Sequence, residues 1–193
     1  MSPGPSLQHG VVSSDSRRPQ DNGRVRWLGA GQELLRRGGV REVKIAALCE
    51  VSGLTTGSFY HHFSGMSEFL DELARYYGTE QVDEHLRGLA AKAPRQRLEG
   101  LAAIAQDARM QPLDSAMRAW ADSNELAAQA VAASDAALFE FVAGALCELG
   151  HGRDEAHIRA SVLLSVGTAR MRPPWDLPPG TSGRILDIVV DAP

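Results

Sequence analysis

Apolar residues recur at helical spacing along nearly the whole chain, and this pattern is the strongest constraint on its fold. In the segment between 124 and 149, Val131 and Leu138 belong to a continuous apolar stripe. Gly150 follows this segment, where a left-handed helix end is expected. No segment alternates over the length of a strand except SGRILDIVV near the C-terminus, which suits a helix or a strand. The pattern predicts an all-α fold of about eight or nine helices.

Breaking residues divide the pattern into separate helices. Gly38-Gly39 stop the first helix, and Pro94 marks a later start. The first helix is weak on propensity, because Gly29 and Gly31 each cost roughly 1 kcal/mol relative to alanine, so packing must stabilise it. The predicted helices cover residues 24–37, 44–51, 55–62, 67–90, 95–108, 113–121, 124–149 and 153–169.

Composition excludes several classes of protein. With 193 residues and 44% hydrophobic composition, the chain can bury one sizeable core. Its two cysteines, Cys49 and Cys147, lie nearly a hundred positions apart, so there is neither a disulfide framework nor a CxxC motif. No uninterrupted apolar stretch reaches the roughly 20 residues that span a bilayer. We therefore expect a cytoplasmic protein with no membrane segment, and the sequence indicates no metal and no other cofactor.

Charge is distributed unevenly along the chain. Residues 1–62 carry eight Lys or Arg against five Asp or Glu, whereas residues 63–193 carry twelve against nineteen. A basic first part on an acidic body favours a polyanion partner for the first part, although solvated surface charge would give the same split. Residues 1–22 contain Pro, Asp and Arg but no apolar run, and they are predicted to be a disordered tail.

The second and third predicted helices are joined by a short turn that contains Gly53. Thr55 can cap the third helix through its hydroxyl, and small residues follow it. This arrangement is typical of a helix-turn-helix, whose second helix enters the major groove of DNA by its N-terminal end. Free amides and the helix dipole favour phosphate at that end, so the pattern indicates a double-stranded DNA partner.

The segment VKIAALCEVSGLTTGSFYHHFSGMSEFLDEL, which begins at Val43, resembles the amino-terminal DNA-binding region of TetR-type (TetR/AcrR) transcriptional regulators. The residues that fill the family pattern are Leu48-Cys49, Ser52-Gly53-Leu54, Gly57-Ser58-Phe59-Tyr60, Phe63 and Glu68-Phe69-Leu70. The resemblance implies a regulator that is not an enzyme. It implies a three-helix helix-turn-helix domain over residues 23–66 and a helical ligand-binding and dimerisation domain over residues 67–193.

Carried over to this chain, the resemblance implies a set of DNA-contacting residues. They are Lys44, Thr55, Thr56, Gly57, Ser58, Tyr60 and His61. Phe59 and Phe63 are expected in the core. Two positions depart from the family pattern, because Lys44 stands where threonine is usual and Met66 stands where a phosphate-contacting lysine is usual. Since Met66 cannot donate a hydrogen bond, we expect a modest number of phosphate contacts and a shallow salt dependence.

The adjacent His61 and His62 admit other interpretations. They could be metal ligands, but neighbouring helical positions point about 100° apart, and no third ligand follows at helical spacing. A small helical enzyme using either imidazole would need a nucleophile or carboxylate partner, which the sequence does not offer. The aromatic cluster could also be structural, in a helical protein-interaction module that does not bind DNA.

The carboxy-terminal part is expected to dimerise and to bind a small molecule. The helices 124–149 and 153–169 are predicted to form half of an intermolecular four-helix bundle, with closure of the monomer core as the alternative. The large apolar residues expected to line the pocket are Met117, Trp120, Phe139 and Phe141. Asp114 and Arg118 have the spacing of a helix surface pair. Together with the resemblance, these features imply a homodimeric repressor that releases a palindromic operator when an unknown small-molecule effector moves the helix 67–90.

Overall fold

Helices are the only regular elements in the residues that the computed structural model describes, which are 19–78, 82–107, 109–168 and 180–191. They are α1 (Pro19–Gly38), α2 (Ile45–Ser52), α3 (Thr56–His62), α4 (Met66–Tyr76), α5 (Val82–Ala90), α6 (Pro94–Ala105), α7 (Met110–Ala121), α8 (Glu125–Glu148), α9 (Arg153–Thr168) and α10 (Thr181–Val190). A short 3-10 turn at Val40–Glu42 joins α1 to α2. The all-α prediction is confirmed, and the ambiguous segment near the C-terminus forms the helix α10.

Glycine ends two helices as the sequence predicts, whereas the start of α1 differs from the prediction. Gly39 and Gly150 follow α1 and α8 with φ angles of 76° and 104°. The helix α1 begins at Pro19 rather than at 24, so residues 19–22 are helical, and the rest of the predicted tail lies outside the described residues. Proline suits a first helical position because its φ is fixed near the helical value and no amide partner is lost there.

The long helix predicted over residues 67–90 is not one continuous α-helix in the described residues, where α-helical structure covers two stretches of this segment. The helix α4 ends at Tyr76 and α5 begins at Val82. Gly78 follows α4 and lies against α8, where an added Cβ would come within 3.2 Å of the Ala130 carbonyl oxygen. Glycine permits this close approach of two backbones. Both helices bury apolar residues, so the apolar spacing of the sequence does not separate α4 from α5.

Two hydrophobic cores organise the described residues. The first joins α1 to α4 with α7 and the first half of α8, and it contains the fully buried side chains of Trp27, Phe59 and Met117. The second lies between α6, α8, α9 and α10 and contains Leu146. The first core crosses the predicted domain boundary after residue 66. The helix-turn-helix and α7 are therefore packed as one unit.

The helix α8 is long and apolar enough, by length and composition alone, to cross a membrane, and it is the one such helix in the described part of the chain. It packs against α4, α5, α6, α7 and α9. It buries Ala127 in the first core and Val142 in the second. Its Asp135 pairs with Arg118 of α7. The helix α8 is therefore a partly buried core helix, whose apolar residues serve the packing of its neighbours.

Candidate nucleic-acid interface and regulatory cavity

Local hydrogen bonds fix the turn between α2 and α3. Gly53 ends α2 in the left-handed conformation, with φ of 67°, and its N–H donates to the Cys49 carbonyl oxygen at 2.9 Å. Another residue would lose about 1 to 2 kcal/mol in this conformation. Thr55 then caps α3 as predicted, because its Oγ1 accepts from the Ser58 N–H at 3.3 Å. The direction in which α3 leaves the turn is therefore set by residues next to it in the chain.

Aromatic residues hold the inner face of α3. Phe59 and Phe63 are buried, as predicted. Trp27 of α1 meets Phe59 edge to face, with 5.4 Å between ring centroids. Phe69 of α4 lies 5.5 Å from Phe59 and 5.0 Å from Phe63, measured between centroids. Such pairs contribute about 0.5 to 1.5 kcal/mol each beyond their buried area, so α3 is held firmly between α1 and α4.

The outer face of α3 carries the residues that the sequence assigns to DNA. Lys44, Thr55, Thr56, Gly57, Tyr60 and His61 are exposed, and Ser58 is half-buried. The Tyr60 side chain packs edge-on against Phe59 and is still 55% exposed. A Cβ on Gly57 would meet only Thr55 Oγ1, at 3.9 Å, so the first turn of α3 leaves its backbone uncovered. This face is free to approach a partner closely.

His62, to which the sequence assigned no task, fixes the end of α3 to α1. Its ring packs so closely on Gly23 that an added Cβ there would come within 2.6 Å of His62 Nε2. Arg24 donates from Nη1 to the His62 carbonyl oxygen at 3.2 Å, and it pairs with Glu72 of α4. Desolvation, and then the nearby charges of His61 and Arg24, lower the pKa of His62. Sequence spacing gave no signal for these contacts, because they join residues far apart in the chain.

Glu68 fixes the first turn of α4. Its carboxylate accepts from the Ser64 N–H at 2.7 Å and from the Ser64 hydroxyl at 2.6 Å. These bonds lower the pKa of Glu68, since they favour the ionised carboxylate. Met66, in the place of the family's lysine, is half-buried and packs against the first core. Met66 therefore provides no ammonium group for a phosphate contact at the start of α4.

Two adjoining cavities lie in the carboxy-terminal part. The first, here called the apolar cavity, has a volume of about 220 Å³ and lies between α6, α8, α9 and α10. The second, here called the polar cavity because the charged side chains of Asp114 and Arg118 line one end of it, has a volume of about 140 Å³ and extends to the end of α4, to α5 and to α7. Leu101, Ala105, Gln111 and Leu164 line both cavities, so the two share a wall. Only the two cavities together reach the volume of about 300 Å³ at which small-molecule sites usually begin.

The residues predicted to line a pocket lie elsewhere. Met117 and Trp120 are buried in the first core. The Phe139 ring packs against His157 with 5.2 Å between centroids, and Phe141 lies under the Arg97 guanidinium group. None of the four predicted residues lines either cavity. Helical spacing identifies inward faces, but it does not show which inward face meets a gap in the packing.

A polar cluster joins three helices at the polar cavity. The Tyr77 hydroxyl, at the end of α4, donates to Asp114 Oδ1 at 2.9 Å. Arg118 Nε donates to Asp114 Oδ2 at 2.9 Å, and Arg118 Nη1 and Nη2 donate to the two Asp135 oxygens of α8 at 2.9 and 2.6 Å. Burial first, and then Asp114, raise the pKa of Tyr77, so its hydroxyl stays protonated and donates. The sequence predicted the pair of Asp114 and Arg118 but missed its partners on α4 and α8.

The helix α9 has an inner and an outer apolar face. Ala156 and Ala160 are fully buried in the second core. Ile158, Val162 and Val166 are exposed over 60%, 45% and 49% of their surface. The small residues of α9 therefore serve packing within the chain, whereas its large aliphatic residues form a stripe on the surface.

Comparison with known proteins connects this architecture to a family. Residues 28–73 match the family model of the bacterial regulatory proteins of the tetR family. No curated protein sequence matches the chain significantly. A TetR-family transcriptional regulator from Agrobacterium tumefaciens has the same fold with a TM-score of 0.68 at 18% identity, over 89% of this chain and 97% of that one. A transcriptional regulator from Rhodococcus sp. Rha1 gives a TM-score of 0.65 at 20% identity, over 87% and 94% of the two chains.

The transcriptional regulator FadR from Bacillus subtilis, solved in complex with stearoyl-CoA, is a more distant likeness. Its TM-score is 0.54 at 14% identity, over 88% of this chain and 98% of that one. At these identities the solved structures indicate a common fold, and the match over residues 28–73 adds the DNA-binding helix-turn-helix built by α2 and α3. The family consists of regulators rather than enzymes, which excludes an enzyme that uses His61 or His62. Residues 28–73 therefore belong to the TetR family of bacterial regulatory proteins, and the chain as a whole has the fold of the TetR-family transcriptional regulator that it resembles.

Proposed function

We propose that this regulator is a homodimeric repressor in the cytoplasm, which binds a palindromic operator and releases it when a small-molecule effector binds. The observation that carries the proposal is the division of α3 into two faces. Its phenylalanines pack inward, whereas Thr56, Gly57 and Tyr60 leave the outer face open. A helix of this kind enters the major groove by its N-terminal end without disturbing its own core.

The start of α3 is suited to phosphates and base edges. Residues 55–58 are small, so the backbone can come close to DNA, and three of them carry hydroxyl groups. Thr55 Oγ1 already accepts from the Ser58 N–H, which leaves the Thr55 hydroxyl hydrogen to donate to a phosphate. Tyr60 and His61 follow one turn later and contact the phosphate backbone beside the groove. Lys44, at the N-terminus of α2, adds a charged phosphate contact.

A second copy of the chain is proposed to pack on α8 and α9. The surface stripe of Ile158, Val162 and Val166 has the i, i+4, i+8 spacing of one helix face, and water solvates such a patch poorly. A copy related by a two-fold axis would bury both stripes and form a four-helix bundle. The two α3 helices would then face half-sites roughly 34 Å apart, one turn of DNA.

The effector is proposed to bind in the apolar and polar cavities. The helix α4 reaches both proposed sites, because Phe69 near its start packs on α3 and Tyr77 at its end lines the polar cavity. A ligand that displaces Tyr77 would therefore act on the helix that holds α3 in place. The shared fold with FadR, whose structure contains stearoyl-CoA, supports a small-molecule effector in general.

DNA binding is tested by selecting bound duplexes from a random pool and measuring affinity for the selected sequence by gel shift at fixed salt. We expect palindromic sites. The double variant Tyr60→Ala, Ser58→Ala is expected to weaken binding roughly tenfold or more, because contacts to the backbone and groove are lost. Tyr60→Phe keeps the edge contact with Phe59 and removes the hydroxyl alone, so it separates DNA contact from folding. Unchanged affinity of the double variant would show that α3 does not enter the groove.

The two lysines of the chain, Lys44 and Lys92, provide a matched pair for the salt dependence. Both are exposed, but Lys92 lies between α5 and α6, outside the helix-turn-helix. Lys44→Gln is expected to reduce the slope of log affinity against log salt by about 1 per subunit, and Lys92→Gln is expected to leave it unchanged. Equal slopes for the two variants would show that Lys44 does not contact DNA.

The dimer is tested by placing a charge on the stripe. Val162→Glu is expected to give a monomer in sedimentation velocity, because a carboxylate would be buried at the interface. Val25→Glu introduces the same charge at an exposed apolar position of α1 and is expected to leave the oligomeric state unchanged. If Val162→Glu sediments as a dimer, the interface lies on another surface.

A further inference from the structure

The polar cavity has an acidic end. Asp114 and Arg118 line it, and Asp135 pairs with Arg118 from α8. Two carboxylates therefore stand against one guanidinium group in this cluster. Tyr77, His85, Gln111 and Ser134 complete the polar part of the described lining. In a partly buried site this excess of negative charge acts more strongly than it would in water.

The charge of Arg118 is already balanced by two carboxylates. Its Nε donates to Asp114, and its two terminal nitrogens donate to the two oxygens of Asp135. A ligand carboxylate or phosphate on the two remaining N–H groups would lie close to the carboxylates of Asp114 and Asp135 and would be repelled by them. The cluster therefore disfavours anions, although it contains an arginine.

Asp114, in contrast, can accept a further hydrogen bond. Its carboxylate accepts from the Tyr77 hydroxyl and from Arg118 Nε, and 33% of its side chain is exposed. An ionised carboxylate offers about four lone-pair positions, so acceptor capacity remains. A ligand ammonium group beside Asp114 would use this capacity and would also balance the excess negative charge.

Hydrocarbon surface surrounds this acidic end. Val82, Ile104 and Leu138 line the polar cavity beside the cluster. The apolar cavity also has a hydrocarbon lining, because its described lining residues are aliphatic apart from Gln106 and Gln111. A ligand that fills these spaces must therefore carry an apolar body.

We propose that the effector is an apolar organic cation, whose charged head binds at Asp114 and whose hydrocarbon body extends toward the apolar cavity. This inference rests on the proposed effector site. It excludes fatty acids and acyl-CoA thioesters as effectors of this regulator. Because the head group and the Tyr77 hydroxyl would share the Asp114 carboxylate, binding of the head group would weaken the contact between the end of α4 and α7.

The proposal is tested on the full-length protein with three probes of equal chain length: octylamine, octanol and octanoate. Binding is measured near neutral pH by calorimetry, below the concentrations at which the probes aggregate. We expect octylamine to bind roughly tenfold or more tightly than octanoate, with octanol between them. The wild-type series alone decides the order, so the test does not depend on the folding of a variant.

Two substitutions, one on α7 and one directly after it, localise the preference. Asp114→Asn is expected to remove the advantage of octylamine over octanol and to leave octanol binding nearly unchanged. Asp122→Asn makes the same charge change at an exposed position that lines neither cavity, and it is expected to preserve the order of the probes.

Three results would overturn the proposal: octanoate binding as tightly as octylamine, no binding of any probe, or an unchanged preference in Asp114→Asn. These measurements contain no DNA, so their failure leaves the assignment of α3 to the operator intact. Conversely, a failed gel shift would refute the proposed repressor and leave the probe preference standing.

Discussion

Two glycines of α1 make the packing of the DNA-binding domain measurable. Gly29 and Gly31 both lie inside the helix, so replacing either with alanine removes the same backbone cost of about 1 kcal/mol. A Cβ on Gly29 would meet nothing within 4 Å. A Cβ on Gly31 would come within 2.9 Å of Phe69 Cζ and 3.0 Å of both terminal carbons of Leu73. The two substitutions therefore differ only in what the added methyl group meets.

The neighbours of Gly31 cannot move aside easily. Phe69 and Leu73 are fully buried, and the Phe69 ring is packed against Phe59 and Phe63. Forcing an extra carbon into such a core typically costs about 1 to 3 kcal/mol. After the gain in helix propensity, Gly31→Ala is expected to range from nearly neutral to about 2 kcal/mol destabilising.

Gly29→Ala is expected to stabilise the protein by about 1 kcal/mol, so the two variants should differ by about 1 to 3 kcal/mol. Thermal unfolding by circular dichroism, at one protein concentration, measures this difference. A change of 1 kcal/mol shifts Tm by about 2 to 4 °C for a protein of this size, so Gly29→Ala should unfold about 2 to 12 °C above Gly31→Ala. Equal Tm values would refute the reasoning that α1 and α4 touch through Gly31.

Three further predictions concern single residues. Gly53→Ala should lower the free energy of unfolding in urea by about 1 to 2 kcal/mol, because alanine is strained at a φ of 67°. Tyr77→Phe should lower it by about 1 to 2 kcal/mol, since the hydrogen bond to a charged Asp114 is lost. Because folding lowers the pKa of His62 below 6.5, stability should fall as the pH drops from that value toward the folded pKa, and His62→Gln should flatten this part of the urea-derived pH profile.

The helix-turn-helix could be predicted from the sequence because its signals are local. Gly53, the Thr55 cap and the pair of Phe59 and Phe63 lie within a dozen residues, and each feature acts on its immediate neighbours. The same reasoning gave most helix ends. It did not separate α4 from α5, near which Gly78 lies close to Ala130 on another helix.

The cavities could not be predicted, because they depend on contacts between distant segments. Met117 has the same apolar spacing as a cavity residue, yet it fills the first core. Arg118 has a partner at helical spacing in Asp114, and a second partner, Asp135, that belongs to another helix. Sequence spacing reveals the first kind of pair and not the second. Cavity lining is set by which helices approach each other.

The helix α4 joins the two proposed sites through contacts of different kinds. At its start, Phe69 is close-packed with the phenylalanines of α3, so any movement of α4 there must move α3 or open a gap in the core. At its end, Tyr77 is buried in the first core, and its hydroxyl donates one hydrogen bond to Asp114. A ligand can exchange a hydrogen bond at small net cost, because it supplies a replacement donor, whereas it cannot replace aromatic packing. The hydrogen-bonded end is therefore the end at which a ligand can act, and the packed end is the one that passes the movement to DNA.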